Sequence, residues 1–303
     1  MPAAAVAEIL GSVEKTLPVD GFRLAYERVG RGPAVVLLHG WPGDRTDYRD
    51  VVPLLSSATD VVVPDLRGFG ESDKHRSDPA DQYSADAQAR SVVGLIEELG
   101  LDQPVIGGYD IGSRIAQTLA RSRPDLVRAL VVSPPLPGIG DRILTPQVQH
   151  EFWYQSFHQL DVAEQLIDGR REAVRVYLRH FWTHWSGPDF ELTDDHLAHL
   201  VAVYAEPGAF TASIGWYRAG AGSVARSLAE RPPKPGDRIA APTAVIWPEH
   251  DPLFPRAWSD RLDDFFANAR LRYIDGVGHF TPLECPHDFA AALAAAAGTS
   301  HSP

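Results

Sequence analysis

A single turn in the first half of the chain constrains its fold most strongly. Residues 105–114 combine an apolar run, a glycine-flanked turn and the start of a helix. Within the turn, Gly108 and Gly112 flank Asp110 in the pattern glycine, any residue, nucleophile, any residue, glycine, with aspartate in the nucleophile position. The pattern predicts an α/β protein in which Asp110 lies at the end of a buried strand.

The aspartate at this turn decides which chemistry is available. A serine there attacks acyl carbons, whereas a carboxylate attacks saturated carbon that bears a leaving group, such as an epoxide or an alkyl halide. That attack forms an alkyl ester, which water must then hydrolyse. An aspartate is ionised at neutral pH and needs no base to activate it. The alternative is that Asp110 only caps the helix.

Apolar runs bounded by turn residues predict the strands of the sheet. They are two short strands within 13–27, then Ala34–Leu38, Asp60–Pro64, a strand that begins at Val105, 130–133, 244–247 and 271–274. Helices are predicted at 84–99, at 112–123 and after Pro286. Strands that alternate with helices in this way indicate a mostly parallel, doubly wound sheet.

This alternation stops between Pro134 and Pro235, where helical segments with many aromatic residues follow one another. Proline-rich segments at 134–138 and 232–236 bracket the region, as is typical of boundaries. The predicted organisation is a core in two parts, 1–137 and 238–303, with a helical cap at 138–237 inserted after about the sixth strand.

Composition limits the classes of partner. The 303 residues suffice for one large α/β domain with an insertion. A net charge of −12 argues against nucleic acid as a partner, and against an anionic substrate unless arginines gather at the site.

Cys285 is the only cysteine, so an intramolecular disulfide is excluded. Residues 1–10 lack a signal-peptide pattern, and no apolar run approaches the roughly 20 residues of a membrane span, so a cytoplasmic enzyme without a membrane partner is expected.

Two further polar residues come after predicted strands, at the strand ends where ligands of parallel sheets bind. They are Asp251 and His279, and the order nucleophile, acid, histidine is that of α/β-hydrolases. His279 would take a proton from the water that attacks the Asp110 ester, and Asp251 would hold the imidazole in the correct tautomer. Nearby, Glu249 is predicted to be a supporting neighbour and His250 to be structural.

The segment His39-Gly40-Trp41-Pro42 resembles the histidine-glycine-x-proline motif of the α/β-hydrolase superfamily, specifically its epoxide hydrolase and dehalogenase branches. The resemblance covers about residues 17–289. It implies that the backbone N–H groups of Trp41 and Ile111 form an oxyanion hole, with His39 beside the substrate. A plain strand-to-loop turn is the alternative.

Two cap segments, 150–164 and Gly215–Arg218, resemble the tyrosine-bearing segments of soluble-type epoxide hydrolases. The resemblance implies that Tyr154 and Tyr217 donate hydrogen bonds to the epoxide oxygen as the C–O bond breaks. Aligning the first segment takes a one-residue gap, so Trp153 is the alternative at that position. A further alternative is that both tyrosines are packing aromatics. Predicted substrate-binding residues also include Phe152, Trp153, Trp182, Trp185 and Arg114, and the cap aromatics favour an apolar or aromatic substrate.

The main prediction is an epoxide hydrolase that forms a vicinal diol and requires no metal or organic cofactor. Its partner is a small-molecule substrate, and the chain is expected to be a monomer or a homodimer. A non-catalytic ligand receptor on the same fold is a less favoured alternative. An esterase is disfavoured because Ser113, the nearest serine, lies on the helix that follows the turn.

A dehalogenase is the nearest alternative. Fluoroacetate-type enzymes place arginines directly after the nucleophile and three residues later, but here Ile111 takes the first position and only Arg114 remains. They also take their acid from the strand before the cap, where this chain has Val132-Ser133-Pro134. A haloalkane dehalogenase would need paired halide donors, for which Trp41 or Trp153 are the candidates.

Overall fold

The computed structural model describes residues 12–220 and 223–299, so the segment 1–10, predicted not to be a signal peptide, lies outside the described residues. The described chain forms an eight-stranded sheet in the order β1-β2-β4-β3-β5-β6-β7-β8. Its strands are β1 Glu14–Lys15, β2 Ala25–Gly30, β3 Ala34–Leu38, β4 Asp60–Pro64, β5 Val105–Gly108, β6 Ala129–Val132, β7 Thr243–Pro248 and β8 Ala269–Ile274. Pairings β1–β2 and β2–β4 are antiparallel, and the others are parallel. The predicted mostly parallel sheet is confirmed.

Burial explains why continuous apolar sequences form the centre of the sheet. Every residue of β3, β4, β5 and β6 is buried, as expected for parallel strands covered by helices on both faces. The edge strand β8 is exposed along most of its length, and it begins two residues before the predicted 271. The carboxyl ends of the central strands therefore meet at one protected edge.

The helices of the described chain fall into two groups, separated by β6 and β7. Core helices are α1 Val52–Leu55, α2 Pro79–Gln82, α3 Ala85–Glu98 and α4 Asp110–Ser122, and then α13 Leu262–Phe265, α14 Thr281–Glu284 and α15 Pro286–Ala297. Between β6 and β7 lie α5 Pro146–Glu151, α6 Trp153–His158, α7 Asp161–Ile167, α8 Arg171–His184, α9 Asp194–Tyr204, α10 Ala209–Ser213, α11 Gly215–Arg218 and α12 Val224–Ala229. Short 3₁₀ helices are Arg45–Tyr48, Pro124–Leu126, Gly140–Leu144, Pro235–Asp237 and Arg256–Arg261. None of the helices in 12–220 and 223–299 is long and apolar enough to cross a bilayer.

The helices α5–α12 between β6 and β7, called the cap helices below, lie over the loops at the carboxyl edge of the sheet. The Trp182 indole N–H donates to the Pro42 carbonyl at 3.1 Å, and the Tyr204 hydroxyl donates to the Gly43 carbonyl at 2.8 Å. Both acceptors belong to the loop after β3, so buried hydrogen bonds connect the cap helices to that loop. The exact boundaries of the cap at 138 and 237 stay a prediction.

Candidate active site

Asp110 is the first residue of α4, two residues earlier than the predicted helix start. Its φ of +49° lies in the left-handed region that non-glycine residues rarely adopt, as expected at a sharp strand-to-helix turn. A Cβ on Gly112 would overlap the Leu38 carbonyl oxygen, and one on Gly108 would lie 2.7 Å from the carbonyl carbon of Gly112. Gly112 therefore lets α4 start directly against β3, and Gly108 lets the first turn of α4 lie close to the end of β5.

The predicted acid, histidine and nucleophile come together above the sheet. His279 Nδ1 lies 2.9 Å from Asp251 Oδ2, and His279 Nε2 lies 3.3 Å from Asp110 Oδ2. The other Asp251 oxygen accepts the backbone N–H of Leu253 at 2.9 Å. All three side chains are buried. The histidine thus bridges two carboxylates, one positioned as its orienting partner and the other in the glycine-flanked turn 108–112, called the elbow below.

The charge on His279 follows from these neighbours. Burial by itself lowers the pKa of His279, but the charges of Asp251 and Asp110 and their hydrogen bonds outweigh it and raise the pKa to about 10. With both carboxylates ionised, the imidazole carries a proton at neutral pH.

The backbone of Trp41 faces Asp110. Its N–H donates to Asp110 Oδ1 at 2.8 Å, so that amide is directed at a carboxylate oxygen, as an oxyanion-hole donor must be. The second predicted donor, Ile111, is buried and lines the cavity beside Asp110. The Trp41 indole is stacked on Tyr154, with ring centroids 5.7 Å apart and planes 3° apart.

A cavity of about 1080 Å³, including its open end, begins at Asp110 and extends beneath the cap helices. Two tyrosines, Tyr154 and Tyr217, line it. Apolar lining residues include Leu136, Ile139, Ile143, Phe152, Trp216 and Phe254. The cavity therefore combines apolar walls with a few polar groups, as small-molecule sites do.

Both tyrosines are buried, and their rings lie 5.5 Å apart at 85°. Burial is the main cause that raises the pKa of each hydroxyl, and the negative charge of Asp110 adds to it. Both hydroxyls are therefore protonated at neutral pH and can donate hydrogen bonds into the cavity. The Gln155 amide donates to the Tyr154 oxygen at 3.4 Å and was not among the sequence candidates.

His39 does not line the cavity, contrary to the prediction that it binds substrate. It is buried, its Nε2 accepts the backbone N–H of Leu66 at 3.0 Å, and its Nδ1 lies 2.9 Å from the Gly40 carbonyl. Since Nε2 accepts, the proton is on Nδ1 and the ring is neutral. His39 holds together the loops after β3 and β4.

Three of the predicted tryptophans also lie outside the cavity lining. Successive helical residues point about 100° apart, so Trp153 and Tyr154 cannot both face inward. Tyr154 faces inward and is buried, and Trp153 is 42% exposed. Trp182 stacks on Phe280 with centroids 3.7 Å apart, and Trp185 packs against His279 at 5.1 Å. These tryptophans pack around the site without facing the cavity, whereas Phe152 lines the cavity.

Arg114 lines the cavity, but its guanidinium is paired with a carboxylate. Its Nη2 lies 3.0 Å from Glu230 Oε1, and Glu230 Oε2 accepts the Gly138 N–H at 2.7 Å. Arg114 thus joins α4 to the segments at both ends of the cap helices.

Glu284 is a supporting residue that the sequence patterns missed. Its Oε2 accepts the N–H groups of Gly187 at 2.7 Å and Gly278 at 2.8 Å, and its Oε1 accepts that of Phe280 at 2.9 Å. These bonds hold the turn on both sides of His279. In the sequence, a glutamate five residues after the histidine hardly predicts this supporting role, because only the folded turn brings three N–H groups to its carboxylate.

Comparison with known proteins agrees with this geometry. The family model for the alpha/beta hydrolase fold matches residues 33–286. A soluble epoxide hydrolase from Corynebacterium sp. (strain C12) is 30% identical over 278 residues, which cover 88% of this chain and 91% of that protein.

Two further similar proteins are a solved structure and a dehalogenase. The solved structure of the epoxide hydrolase CorEH without ligand has a TM-score of 0.80 and 28% identity, covering 94% of this chain and 98% of that one. A haloalkane dehalogenase from Bradyrhizobium diazoefficiens is 32% identical over 172 residues, 56% of this chain and 50% of that protein. On the family match, the sheet topology and the elbow at Asp110, this chain belongs to the α/β-hydrolase superfamily, in its epoxide hydrolase branch.

Proposed function

We propose that this hydrolase converts an apolar or aromatic epoxide to a vicinal diol through a covalent ester on Asp110. One observation carries the proposal: two protonated tyrosine hydroxyls, those of Tyr154 and Tyr217, line the same cavity as the Asp110 carboxylate. An epoxide oxygen leaves poorly unless it is hydrogen-bonded or protonated, and buried phenols supply both.

In the first step, an Asp110 oxygen attacks one epoxide carbon and the C–O bond of the ring breaks. The released oxygen keeps the electron pair and takes a proton from a tyrosine hydroxyl. The product is a hydroxyalkyl ester of Asp110 and a tyrosinate. Because esterification removes the negative charge of Asp110, one of the causes of the raised His279 pKa disappears and that pKa falls. His279 then gives its proton to the tyrosinate and becomes a base.

In the second step, neutral His279 takes a proton from water as the water oxygen bonds to the ester carbonyl carbon. The Trp41 and Ile111 amides stabilise the charge on the carbonyl oxygen, and Asp251 stabilises the imidazolium. When the intermediate collapses, the diol oxygen leaves with a proton from the former water, and Asp110 is again a carboxylate. One water is consumed for each epoxide.

Dehalogenation by the same nucleophile is the second candidate, favoured by the similarity to a haloalkane dehalogenase. Two contacts weigh against it. Trp153, a candidate halide donor, lies on the outer face of α6. Arg114, the remaining arginine of a haloacid clamp, is already bound to Glu230. The complete set Asp110, Asp251 and His279 weighs against a non-catalytic receptor.

A paired assay tests the proposal. Styrene oxide, 1-bromobutane and fluoroacetate are offered to the wild type and to His279→Gln, and diol and halide are measured. We expect diol from the epoxide with the wild type. The variant should accumulate an ester on the peptide that contains Asp110, visible by mass spectrometry. Halide release without diol from any epoxide contradicts the proposal.

Isotope labelling tests the covalent route separately. In a single turnover in ¹⁸O-labelled water, the label should enter the Asp110 carboxylate, because water attacks the ester carbonyl carbon. Label that enters the diol and not Asp110 rules out this nucleophile.

A further inference from the structure

A buried carboxyl lies beside the residue that precedes Asp110. Asp47 belongs to the 3₁₀ helix Arg45–Tyr48 in the loop after β3, and its side chain is buried. Its Oδ2 accepts the Tyr109 hydroxyl at 2.6 Å, and Tyr109 directly precedes Asp110 in the elbow. Neither Asp47 nor Tyr109 lines the cavity, so any effect of this pair on the reaction is exerted through its neighbours.

A packing role alone accounts poorly for this carboxyl. Within residues 12–220 and 223–299, Oδ1 of Asp47 is buried and has no hydrogen-bond partner. A buried polar atom without a partner costs folding free energy, whereas an apolar side chain of similar shape in its place is often neutral or stabilising. The Asp47 carboxyl therefore calls for an explanation beyond filling space.

The Tyr109 ring touches the same loop at a second point. A Cβ on Gly40, the residue before Trp41, would lie 2.7 Å from Cε2 of Tyr109 and 2.6 Å from Cβ of Asp110. The ring and the Asp110 side chain therefore both pack directly on the Gly40 backbone. The N–H of the next residue, Trp41, is the group that donates to Asp110 Oδ1 at 2.8 Å. A shift of the ring thus changes the position of Asp110 relative to that amide.

A second buried carboxyl in the loop is charged. Asp44 Oδ2 lies 2.7 Å from His199 Nε2, and its Oδ1 accepts the backbone N–H of Thr46 at 2.9 Å. Burial opposes the ionisation of Asp44, but the hydrogen bonds with His199 and Thr46 outweigh burial and lower the Asp44 pKa. Asp44 is therefore a carboxylate at neutral pH.

Asp47, three residues further along, is uncharged at neutral pH. Burial, followed by the negative charge of Asp44, raises the pKa of Asp47 well above its usual range. The hydrogen bond from Tyr109 and the positive charges nearby oppose this rise without cancelling it. The titratable side chains around Asp47 are Asp44, Tyr48, Arg49, Tyr109, His199 and Tyr204. Asparagine, which is neutral and has the same shape, is therefore the closest substitute for Asp47.

We propose, resting on the epoxide hydrolase function above, that Asp47 is a positioning residue that acts through Tyr109 on the position of Asp110. Without the hydrogen bond to Asp47, the Tyr109 ring is free to turn away from Gly40, and Asp110 shifts with it because the two residues are adjacent. The carboxylate then lies off the line of attack on the epoxide carbon. A displacement of about 1 Å is enough to slow such a step about a hundredfold.

Turnover of styrene oxide by Tyr109→Phe, Asp47→Ala and Asp47→Asn tests this role. We expect Tyr109→Phe and Asp47→Ala to lower kcat about tenfold to a hundredfold with little change in KM, because neither residue lines the cavity. Asp47→Asn should restore most of kcat, since its amide oxygen accepts the Tyr109 hydroxyl. Tyr26→Phe on β2, which removes a hydroxyl bound to the Glu14 carboxylate at 3.0 Å, is the matched control and should change neither constant. A kcat for Asp47→Asn as low as that for Asp47→Ala overturns the role of this hydrogen bond, because asparagine keeps it.

NMR titration of His279 in protein labelled with ¹⁵N-histidine reports the position of Asp110 without turnover. Burial lowers the pKa of His279, whereas the charges of Asp251 and Asp110 and their hydrogen bonds raise it to about 10. If Asp110 moves away from His279 Nε2, which lies 3.3 Å from it, that pKa falls. We therefore expect a lower His279 pKa in Tyr109→Phe and an unchanged one in Tyr26→Phe.

The two readouts separate this proposal from the function on which it rests. An unchanged His279 pKa together with an unchanged kcat, in Tyr109→Phe that is folded by circular dichroism, overturns the positioning role and leaves the epoxide function intact. A lowered His279 pKa in this variant, without diol from any epoxide in the wild type, overturns the function and leaves the positioning of Asp110 standing.

Discussion

Oε2 of Glu284 accepts the backbone N–H of Gly187 at 2.7 Å, and so connects the turn that carries His279 to the segment between α8 and α9. The same oxygen also binds the Gly278 N–H, immediately before the histidine. One carboxylate therefore holds the turn that carries His279 and the cap helices in a common position.

Glu284→Gln tests this role. The amide nitrogen of glutamine cannot accept a hydrogen bond, so at least one of the three backbone N–H groups loses its partner. We expect the free energy of unfolding in urea to fall by about 1–3 kcal/mol. Because His279 is displaced, kcat should fall while KM changes little. Glu97→Gln, which removes only an exposed partner of Arg123, is the control. An unchanged kcat would show that the turn keeps its position without this carboxylate.

Tyr154→Phe and Tyr217→Phe test the two proposed donors. Each change removes a hydroxyl while keeping the packed ring, so epoxide opening should slow by about tenfold to a thousandfold in kcat/KM. Tyr273→Phe, at an exposed position on β8, should have no effect. If neither cap variant changes kcat/KM, the two hydroxyls serve packing alone and the proposed first step is wrong.

The raised pKa of His279 predicts a dependence of stability on pH. Between about pH 6.5 and 10, the folded protein keeps a proton on His279 that the unfolded chain has lost. The unfolded state therefore binds fewer protons, and the free energy of unfolding falls as pH rises through this range. Below about pH 6.5, the contribution of His279 to the free energy of unfolding is fully present. Urea unfolding at several pH values should show a steeper fall for the wild type than for His279→Gln. Parallel curves would contradict the assigned charge.

Gly112→Ala tests the close contact at the elbow. The added Cβ would overlap the Leu38 carbonyl oxygen, a backbone atom of β3 that cannot move aside. We expect a loss of more than about 3 kcal/mol in the free energy of unfolding, measured by urea denaturation. Gly236→Ala is the control, because within the described residues nothing lies within 4 Å of its added Cβ, and its effect should stay within about 0.5 kcal/mol. Equal effects would mean that α4 can shift away from β3.

Local sequence determined the elbow and the order of the candidate catalytic residues. Gly108, Asp110 and Gly112 lie within five consecutive residues, so the local pattern alone predicts a strand that ends in a sharp turn carrying Asp110. Asp251 and His279 were recognised for the same reason, since each follows a strand and parallel strands bring their carboxyl ends together.

Tertiary structure decided which side chains face the substrate space. Trp153 and Tyr154 are neighbours in sequence, but only the packing of α6 turns Tyr154 inward. His39 bonds to Leu66 between the loops that follow β3 and β4, and Arg114 pairs with Glu230, 116 positions away. Helical and strand periodicities predict which residues share a face, but they do not predict what that face contacts. That depends on long-range packing, which here brings Tyr154 and Tyr217, from two different cap helices, into one cavity with Asp110.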